Sequence, residues 1–226
     1  MISTVAIKKT ASELGADLCG IASVDRFQEA PKGFHPTDVL PACKSVIILA
    51  SRFLKSTLDG KSTVPYTTVR DELKTKMNRM AVKLSEYLEE HKMTAIPMNS
   101  TGPDEWDAES GKFRGIISLK HAAVLAGLGK MGKNTLLVNE QFGNMIWLSG
   151  VFVGENLEAD PIAPYEGCIK NCTLCLDSCP VKALDGISIN QPLCRNYAFG
   201  EHNGGEWRIK CYICRKVCPN CTGIRK

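Results

Sequence analysis

The feature of this 226-residue sequence that most constrains its fold is the spacing of its cysteines, nine of eleven of which lie in the last third. Residues 168–180 read C-x3-C-x2-C-x3-C-P, and residues 211–219 read C-x2-C-x3-C-P. A single cysteine, Cys194, stands between the two motifs. Because such repeated short spacings bring several thiols together from one loop, the pattern predicts a small module built around its sulfur atoms.

The rest of the sequence argues against disulfide bonds as the role of these thiols. Residues 1–20 have lysines within an amphipathic pattern and no continuous apolar segment, so we expect no signal peptide. The apolar runs Val46–Ala50 and Met145–Leu148 are too short to cross a bilayer. We therefore expect a cytoplasmic protein without membrane association, whose clustered thiols stay reduced and bind metal. The isolated Cys19 and Cys43 are expected to be buried as small apolar side chains.

Two-cluster ferredoxins use the motif C-x2-C-x2-C-x3-C-P, in which the fourth cysteine binds the other cluster. The sequence therefore predicts two [4Fe–4S] clusters, and its x3 spacing after Cys168 is a one-residue departure that a loop can absorb. The first quartet of ligands is Cys168, Cys172, Cys175 and Cys218, and the second quartet is Cys179, Cys194, Cys211 and Cys214. Cys221 is left without a predicted role. A zinc ribbon is the alternative, but it needs only four thiols and does not explain the repeated C-x3-C-P.

The charge of the chain fits this interpretation. The formal net charge of +4 counts every cysteine as a neutral thiol. A [4Fe–4S] cluster with four thiolates carries about −2 in its oxidised form, so two clusters bring the total to about zero. Residues 194–226 contain seven lysines and arginines against two glutamates. We interpret these cations as balancing the clusters, with a nucleic-acid-binding surface as the alternative.

The first 160 residues have the pattern of a mixed globular domain. Apolar periodicity predicts helices over 2–14, 71–91 and 117–126, and strands over 17–23, 46–50, 92–97 and 147–153. Prolines and glycines predict a loop over 30–45, and the polar, glycine-rich stretch 99–115 is expected to be a mobile loop and a candidate lid. Helices alternating with strands predict an α/β or α+β core over residues 1–160, followed by the cysteine module over 161–226.

A glycine-rich stretch over residues 127–134 matches two phosphate-binding patterns at once. It reads G-x-G-x-x-G and also G-x-x-x-x-G-K, with Asn134 where a P-loop has serine or threonine. The residues before it are predicted to be a helix rather than a strand, which does not favour nucleotide binding. Its glycines still indicate a close backbone approach, either to another element of the protein or to a flat cofactor.

Four stretches make the sequence similar to the epoxyqueuosine reductase family, tRNA-modifying relatives of the corrinoid reductive dehalogenases. They are residues 40–50 (LPACKSVIILA), 66–88, 122–137 (AAVLAGLGKMGKNTLL) and the cysteine module, and together they span most of the chain in the family's order. The resemblance implies an α/β sandwich like that of flavin reductases and nitroreductases, fused to a ferredoxin-like module. Electrons would pass from an external donor of the ferredoxin or flavodoxin type through both clusters to a bound cobalamin, or to FMN as the alternative.

The resemblance also implies where a cofactor and its chemistry would lie. Tyr66, Arg70 and Asp71 are expected near the cofactor cavity, although a charged helix N-terminus explains Arg70 and Asp71 equally well. Tyr66, Arg70 and His121 are candidate catalytic residues, and a partly buried helix histidine is the alternative for His121. The cofactor wall is predicted to consist of Gly127, Gly129, Gly132, Lys133 and Asn134.

Two differences from the family bear on which substrate is expected. The family has an acidic proton donor before the glycine-rich stretch, whereas this sequence has residues 113–116 (FRGI) there. The nearest carboxylates are Asp104, Glu105, Asp107 and Glu109. The family also continues into a helical-repeat tail that grips tRNA, whereas this sequence ends at residue 226. We therefore expect a small-molecule substrate or a redox partner protein rather than tRNA, with a non-catalytic electron carrier as the alternative function.

Overall fold

The computed structural model describes residues 2–107, 112–201 and 205–224. Its α-helices are α1 (Thr4–Glu13), α2 (Pro36–Val39), α3 (Val64–Glu90), α4 (Leu119–Leu125), α5 (Leu174–Asp177), α6 (Gln191–Ala198) and α7 (Ile213–Lys216). Its strands are β1 (Leu18–Ser23), β2 (Ser45–Arg52), β3 (Ala95–Met98), β4 (Glu105–Asp107), β5 (Lys112–Arg114), β6 (Lys130–Met131), β7 (Leu137–Val138), β8 (Ile146–Val153), β9 (Phe199–Gly200) and β10 (Arg208–Ile209). Short 3₁₀ helices cover Val24–Phe27 and Lys55–Leu58.

The main sheet has four strands in the order β1–β2–β8–β3. β1 pairs antiparallel with β2, with Leu18 opposite Ala50, and β3 pairs antiparallel with β8, with Ala95 opposite Val153. The two central strands are buried along nearly their whole length. Strands covered on both faces read as continuous apolar runs, which is why the sequence signalled β2 so clearly.

Helices α1 and α3 cover one face of this sheet. The hydrophobic core combines their apolar side chains with those of β1, β2 and β8, including Ile7, Ile21, Ile47, Leu49, Met77, Leu84, Leu88 and Val151, all fully buried. The Ser149 hydroxyl donates a hydrogen bond to the Met77 carbonyl at 2.9 Å, so the polar atom that β8 buries here has a partner.

The described chain divides into two compact units. The first unit comprises residues 1–51, 74–128 and 147–163, and the second comprises 52–73, 129–146 and 164–226. The first unit holds the core described above, and the second holds the cysteine module. The sequence-based division at residue 160 lies close to the last of these boundaries. It did not anticipate that 52–73 and 129–146 group with the cysteine module.

Three elements differ from expectation. The predicted loop before β2 contains the one-turn helix α2, which Pro36 begins and which the His35 side chain caps by accepting from the Thr37 N–H. α3 begins at Val64, seven residues before the predicted start. The apolar spacing of this helix continues through Val69 to the buried Tyr66, and Pro65 in the first turn is compatible with a helix start. The stretch 99–115 contains the paired strands β4 and β5, while residues 108–111 of the predicted lid lie outside the described part of the chain. Among the described residues, no helix is both long and apolar enough to span a bilayer.

Candidate functional site

The first quartet lines a single cavity in the second unit. Cys168, Cys172, Cys175 and Cys218 all contribute to its wall, and the cavity has about 340 Å³ of empty space, part of it open to solvent. The short helix α5 carries Cys175, and the Cys168–Cys172 turn precedes it. The cysteines that the spacing grouped are therefore brought together, including Cys218, which is distant in sequence. Four thiols around one cavity are the donor set that a [4Fe–4S] cluster uses.

Two residues of the glycine-rich stretch form another part of this cavity wall. The Lys133 backbone N–H donates to the Cys168 sulfur at 3.3 Å, and the Lys133 ammonium donates to the Cys172 carbonyl at 2.9 Å. The Asn134 side chain donates to the Cys214 carbonyl at 3.0 Å. Hydrogen bonds to cluster sulfurs are among the factors that set a cluster's reduction potential. Lys133 and Asn134 thus hold the cysteine module in shape.

The cysteines of the second quartet lie near one another and near the first quartet. The thiol of Cys214 is within electrostatic range of those of Cys211 and Cys194, and also of Cys175 in the first quartet, and the thiol of Cys179 is within range of that of Cys211. The Cys179 sulfur accepts a hydrogen bond from the Ala183 N–H at 3.3 Å. Helix α6 supplies Cys194, and helix α7 supplies Cys214. The assignment of Cys194, the isolated cysteine between the motifs, to this quartet stays a prediction.

The thiols of both quartets are held in a partly apolar environment. Burial raises the pKa of Cys214 to about 11, with Arg215 opposing this shift and the thiols of Cys211 and Cys194 adding to it. Burial likewise raises the pKa of Cys218 to about 11. Metal binding releases these protons, since the thiolate is the ligand form. Across the described ranges, no three His, Cys, Asp or Glu side chains are grouped as ligands of a single metal ion.

The three glycines have packing roles within the protein. Gly127 has a positive φ of +75° and lies against the Pro161 carbonyl, so a side chain there would be strained and would clash. A Cβ at Gly129 would lie 2.5 Å from the Val138 carbonyl, and one at Gly132 would lie 3.0 Å from the Val138 side chain. The stretch follows helix α4 and leads into β6, which is not the strand–loop–helix context of a nucleotide site. Packing thus accounts for the glycines, and their contact with a cofactor stays a prediction.

Tyr66 is the centre of a stack of three aromatic rings. Its ring lies 4.5 Å from that of Phe53 and 4.3 Å from that of Tyr212, measured between centroids. Tyr66 is buried, which raises its pKa, while the charge of Arg215 opposes the shift. Tyr212, at one end of the stack, is the residue next to Cys211 of the second quartet. Sequence reasoning missed Tyr212, although an aromatic residue between two predicted ligands was visible.

A larger cavity lies at the other end of this stack. Phe53 is one of its lining residues, and Arg52, Lys55, Gln141 and Phe142 are others. Its empty volume is about 1310 Å³ including open solvent. The second unit therefore contains an open cavity of a size suited to a ligand in addition to its two cysteine quartets.

The other candidate catalytic residues have local partners. Arg70 forms an ion pair with Asp71, with 2.6 Å between Nη1 and Oδ1, and its guanidinium lies 5.4 Å from the centre of the Trp207 ring. His121 is exposed, and its Nδ1 lies 2.7 Å from the Ser118 hydroxyl at the start of α4. Arg70 and Asp71 lie inside α3, six and seven residues after its start at Val64, so the helix N-terminus does not explain them. His121 is exposed rather than partly buried. A catalytic role for Arg70 or His121 stays a prediction.

The candidate carboxylates lie on or beside the β4–β5 pair. Glu105 accepts a hydrogen bond from Arg114 at 3.3 Å, and the Arg114 guanidinium also lies 4.8 Å from the centre of the Phe34 ring. Asp104 is exposed. Glu109 and the side chain of Asp107 lie outside the part of the chain that the structure describes. Arg114 therefore lies in the segment for which the resemblance implies an acidic residue, and it pairs with the nearby carboxylate of Glu105.

Known proteins resemble this chain in sequence. No family model matches the chain. A curated epoxyqueuosine reductase from Leadbetterella byssophila is 27% identical to it, over 94% of this chain and 78% of the relative's length. Over a shorter region, 45% of this chain, the epoxyqueuosine reductase of Lactococcus garvieae is 38% identical.

Solved structures share the fold. The epoxyqueuosine reductase from Streptococcus thermophilus aligns with 99% of this chain and 67% of its own, with a TM-score of 0.66 and 19% identity. An epoxyqueuosine reductase solved with an epoxyqueuosine-modified tRNA-Tyr stem loop aligns with 84% of this chain and 55% of its own, at a TM-score of 0.60 and 21% identity. A reductive dehalogenase described in terms of B12-dependent dehalogenation aligns with 79% of this chain and 25% of its own, at a TM-score of 0.58 and 15% identity. The resemblance inferred from the sequence is therefore confirmed: this chain is similar to curated epoxyqueuosine reductases over most of its length and has a fold in common with the reductive dehalogenases.

Proposed function

We propose that this protein is an iron–sulfur oxidoreductase in which the two cysteine quartets hold two [4Fe–4S] clusters. The observation that carries the proposal is the cavity lined by the four thiols of the first quartet, with the Lys133 N–H directed at the Cys168 sulfur. Eight thiolates for two clusters match the ferredoxin pattern. The neighbouring electrostatic contacts of the second quartet support the second cluster.

We further propose that the clusters deliver electrons to a corrinoid, with FMN as the alternative. The proposed core is of the flavin-reductase or nitroreductase type, and the likeness to a B12-dependent dehalogenase supports the corrinoid. A bound corrinoid would supply reductive chemistry at cobalt, while the protein binds, orients and shields it. Tyr66, Arg70 and the glycine-rich stretch are the residues proposed to lie near it. The external donor would be a ferredoxin or flavodoxin.

The substrate has two candidates. The names of the relatives favour a tRNA substrate, since one of them was solved with an epoxyqueuosine-modified stem loop. The sequence-based expectation against tRNA therefore has no support from the comparisons. A small-molecule substrate is the other candidate, because the segment at the family's acidic position has Arg114 paired with Glu105 instead of a free carboxylate.

The first experiment is anaerobic purification or reconstitution, followed by measurement of iron, zinc, cobalt and flavin per chain. About eight irons per chain, with an EPR signal on reduction, are expected for two clusters. Zinc without iron after failed reconstitution would contradict the proposal. Co-elution of added hydroxocobalamin or FMN tests the second cofactor, and a protein with eight irons that binds neither would instead be an electron carrier.

The second experiment distinguishes a tRNA substrate from a small-molecule substrate. Reduced, cofactor-loaded protein is incubated with epoxyqueuosine-containing tRNA, and the nucleosides are analysed by mass spectrometry. Conversion to queuosine would identify the tRNA substrate, and salt-sensitive retention of the tRNA would accompany it. Absence of both conversion and retention in a protein with eight irons and bound corrinoid would leave the small-molecule candidate.

A further inference from the structure

Arg215 is a charged side chain that the function proposed above does not use. Only 7% of its surface is exposed, and its Nη1 is buried without a hydrogen-bond partner among the described residues. No described carboxylate forms an ion pair with it. A buried guanidinium with an unsatisfied donor is costly, and arginine does not escape that cost by losing its proton. An anionic group beside the Arg215 guanidinium would offset this cost.

The surroundings of Arg215 place it beside the second quartet. Arg215 follows Cys214 directly, and its charge acts on the Cys214 thiol. Its backbone is fixed on two sides, since its N–H donates to the Tyr212 carbonyl at 3.0 Å and its carbonyl accepts from the Asn144 side chain at 3.4 Å. The same charge also acts on the buried Tyr66. The guanidinium thus belongs to the cysteine site rather than to a surface patch.

The matching position of the first motif is apolar. Each motif has a C-x2-C-x3-C segment, and the residue after its middle cysteine is Leu176 in the first motif and Arg215 in the second. In the first quartet, the Lys133 ammonium is engaged by the Cys172 carbonyl. The two motifs therefore differ at this position by one buried positive charge, while the cation beside the first quartet is Lys133, from another segment of the chain.

We propose that Arg215 is a positioning residue that raises the reduction potential of the cluster in the second quartet. Reduction adds one electron to a cluster that is already negative, and an adjacent buried cation stabilises the added charge more than it stabilises the oxidised state. The electron comes from the external ferredoxin or flavodoxin, and no proton needs to move. The inference rests on the proposed presence of both clusters.

The test is a redox titration of the reconstituted full-length protein, followed by EPR. Arg215→Leu makes the two motifs alike, and it is expected to lower the equilibrium constant for reduction of the second cluster by about tenfold, a shift of about 59 mV for one electron. Arg215→Lys is expected to keep most of the native potential. The matched control Lys170→Leu removes an equal charge from an exposed position near the first quartet, where solvent screens it, and is expected to shift neither potential measurably.

The second cluster is identified as the EPR signal that Cys194→Ser alters, because Cys194 belongs to the second quartet alone. Iron content is measured for every variant, so that loss of a cluster is not mistaken for a change in its potential. If Arg215→Leu does not retain eight irons, Arg215→Gln supplies the neutral variant. Native potential in a neutral Arg215 variant with both clusters present would overturn the inference, whereas a wild-type protein without iron would contradict the proposed function instead.

Discussion

At the scale of single residues, Cys221 is the one cysteine of the module that neither predicted quartet includes. It is not among the residues that line the first quartet's cavity. Its carbonyl accepts a hydrogen bond from the Asn144 N–H at 3.1 Å, a backbone contact that any side chain would keep. Its thiol nevertheless interacts with that of Cys218, so it lies near the first quartet.

We therefore predict that Cys221→Ser retains about eight irons per chain, whereas Cys218→Ser loses the first cluster and drops to about four. Iron analysis after anaerobic reconstitution measures both variants. The serine at 218 is the matched control, because both cysteines lie in the same segment and differ by three positions. Loss of iron in Cys221→Ser alone would reassign the fourth ligand of the first cluster.

Cys19 lies in the first unit, remote in sequence from the cysteine module. It allows the effect of burial on the pKa of a thiol to be tested there. Burial raises its pKa from 9.0 to about 12, with a smaller opposing effect of Lys8 and a smaller raising effect of Asp160. A shift of about three units lowers the thiolate fraction below pH 9 by about a thousandfold. We predict that iodoacetamide alkylates Cys19 about a thousandfold more slowly in the native protein than after denaturation, and that the rate keeps rising with pH beyond 9.

Peptide mass spectrometry after timed alkylation at several pH values measures this rate. The denatured chain is the internal control for the chemistry of the same peptide. A native rate that levels off near pH 9 would show that Cys19 has an ordinary pKa. The expected direction follows because the thiolate, which is the reactive form, is the form that burial disfavours.

The cysteine ligands were easier to predict from the sequence than the residues that hold them in place. The repeated spacing predicted which cysteines the fold brings together, because a short loop restricts where its sulfurs lie. The roles of Lys133 and Asn134 were predicted for a cofactor wall, whereas the structure directs their side chains to the Cys172 and Cys214 carbonyls. Such contacts span 39 and 80 residues of sequence. A local motif contains no information about partners so far away.

At the scale of elements, the Phe53–Tyr66–Tyr212 stack joins three segments of the second unit. Tyr212 also donates its hydroxyl proton to the Thr57 carbonyl at 3.4 Å, and Lys216 donates to the Leu58 carbonyl at 2.6 Å. The 3₁₀ helix Lys55–Leu58, which helps line the larger cavity, is thereby attached to the C-x2-C-x3-C segment. Stacked aromatic pairs contribute about 0.5–1.5 kcal/mol each beyond the area that they bury.

We predict that Tyr212→Leu lowers the free energy of local opening at Lys55–Leu58 by about 1–3 kcal/mol, because it removes both a ring contact and a hydroxyl donor. Tyr212→Phe keeps the ring and is expected to cost less than about 1 kcal/mol. Amide hydrogen exchange of this segment in the iron-loaded protein is the measurement. Equal protection in the leucine variant and the wild type would mean that the stack does not hold the segment.

The regular elements of the first unit were largely predictable, and the reason is burial. β2 and β8 are nearly all buried, and the inward face of α3 carries residues such as Met77 and Leu84, so their apolar patterns are strong. The first turns of α3 were missed although Tyr66 and Val69 continue its apolar spacing. The β4–β5 pair lacks such a pattern, and it was missed for that reason. Tertiary context rather than local periodicity decides segments of this kind.

At the scale of the whole molecule, the two units differ in what stabilises them. The first has a continuous core of apolar side chains between its sheet and helices. The cysteine module, by contrast, leaves several large apolar side chains exposed, among them Ile169, Leu174 and Ile187, the last with 90% of its surface accessible. A small module with little core generally depends on its metal or on cross-links for stability.

We therefore predict that removing iron destabilises residues 164–224 selectively. Binding of metal by thiolates contributes directly to folding free energy, and the buried thiols of Cys214 and Cys218, with pKa values of about 11, are protonated once the metal is gone. Limited proteolysis with and without an iron chelator is the measurement. The expected result is rapid cleavage within 164–224 after chelation, with Leu18–Ser23, Ser45–Arg52 and Ile146–Val153 still protected.

The iron-loaded protein treated with the same protease is the control, and far-UV circular dichroism reports the strands and helices that remain. Retention of the sheet signal with loss of the module would assign the clusters a structural role in addition to electron transfer. Uniform resistance of the iron-free chain would mean that packing by Lys133, Asn134 and the aromatic stack holds the module without metal. Uniform cleavage of both units would mean that the core of the first unit depends on the second for its stability.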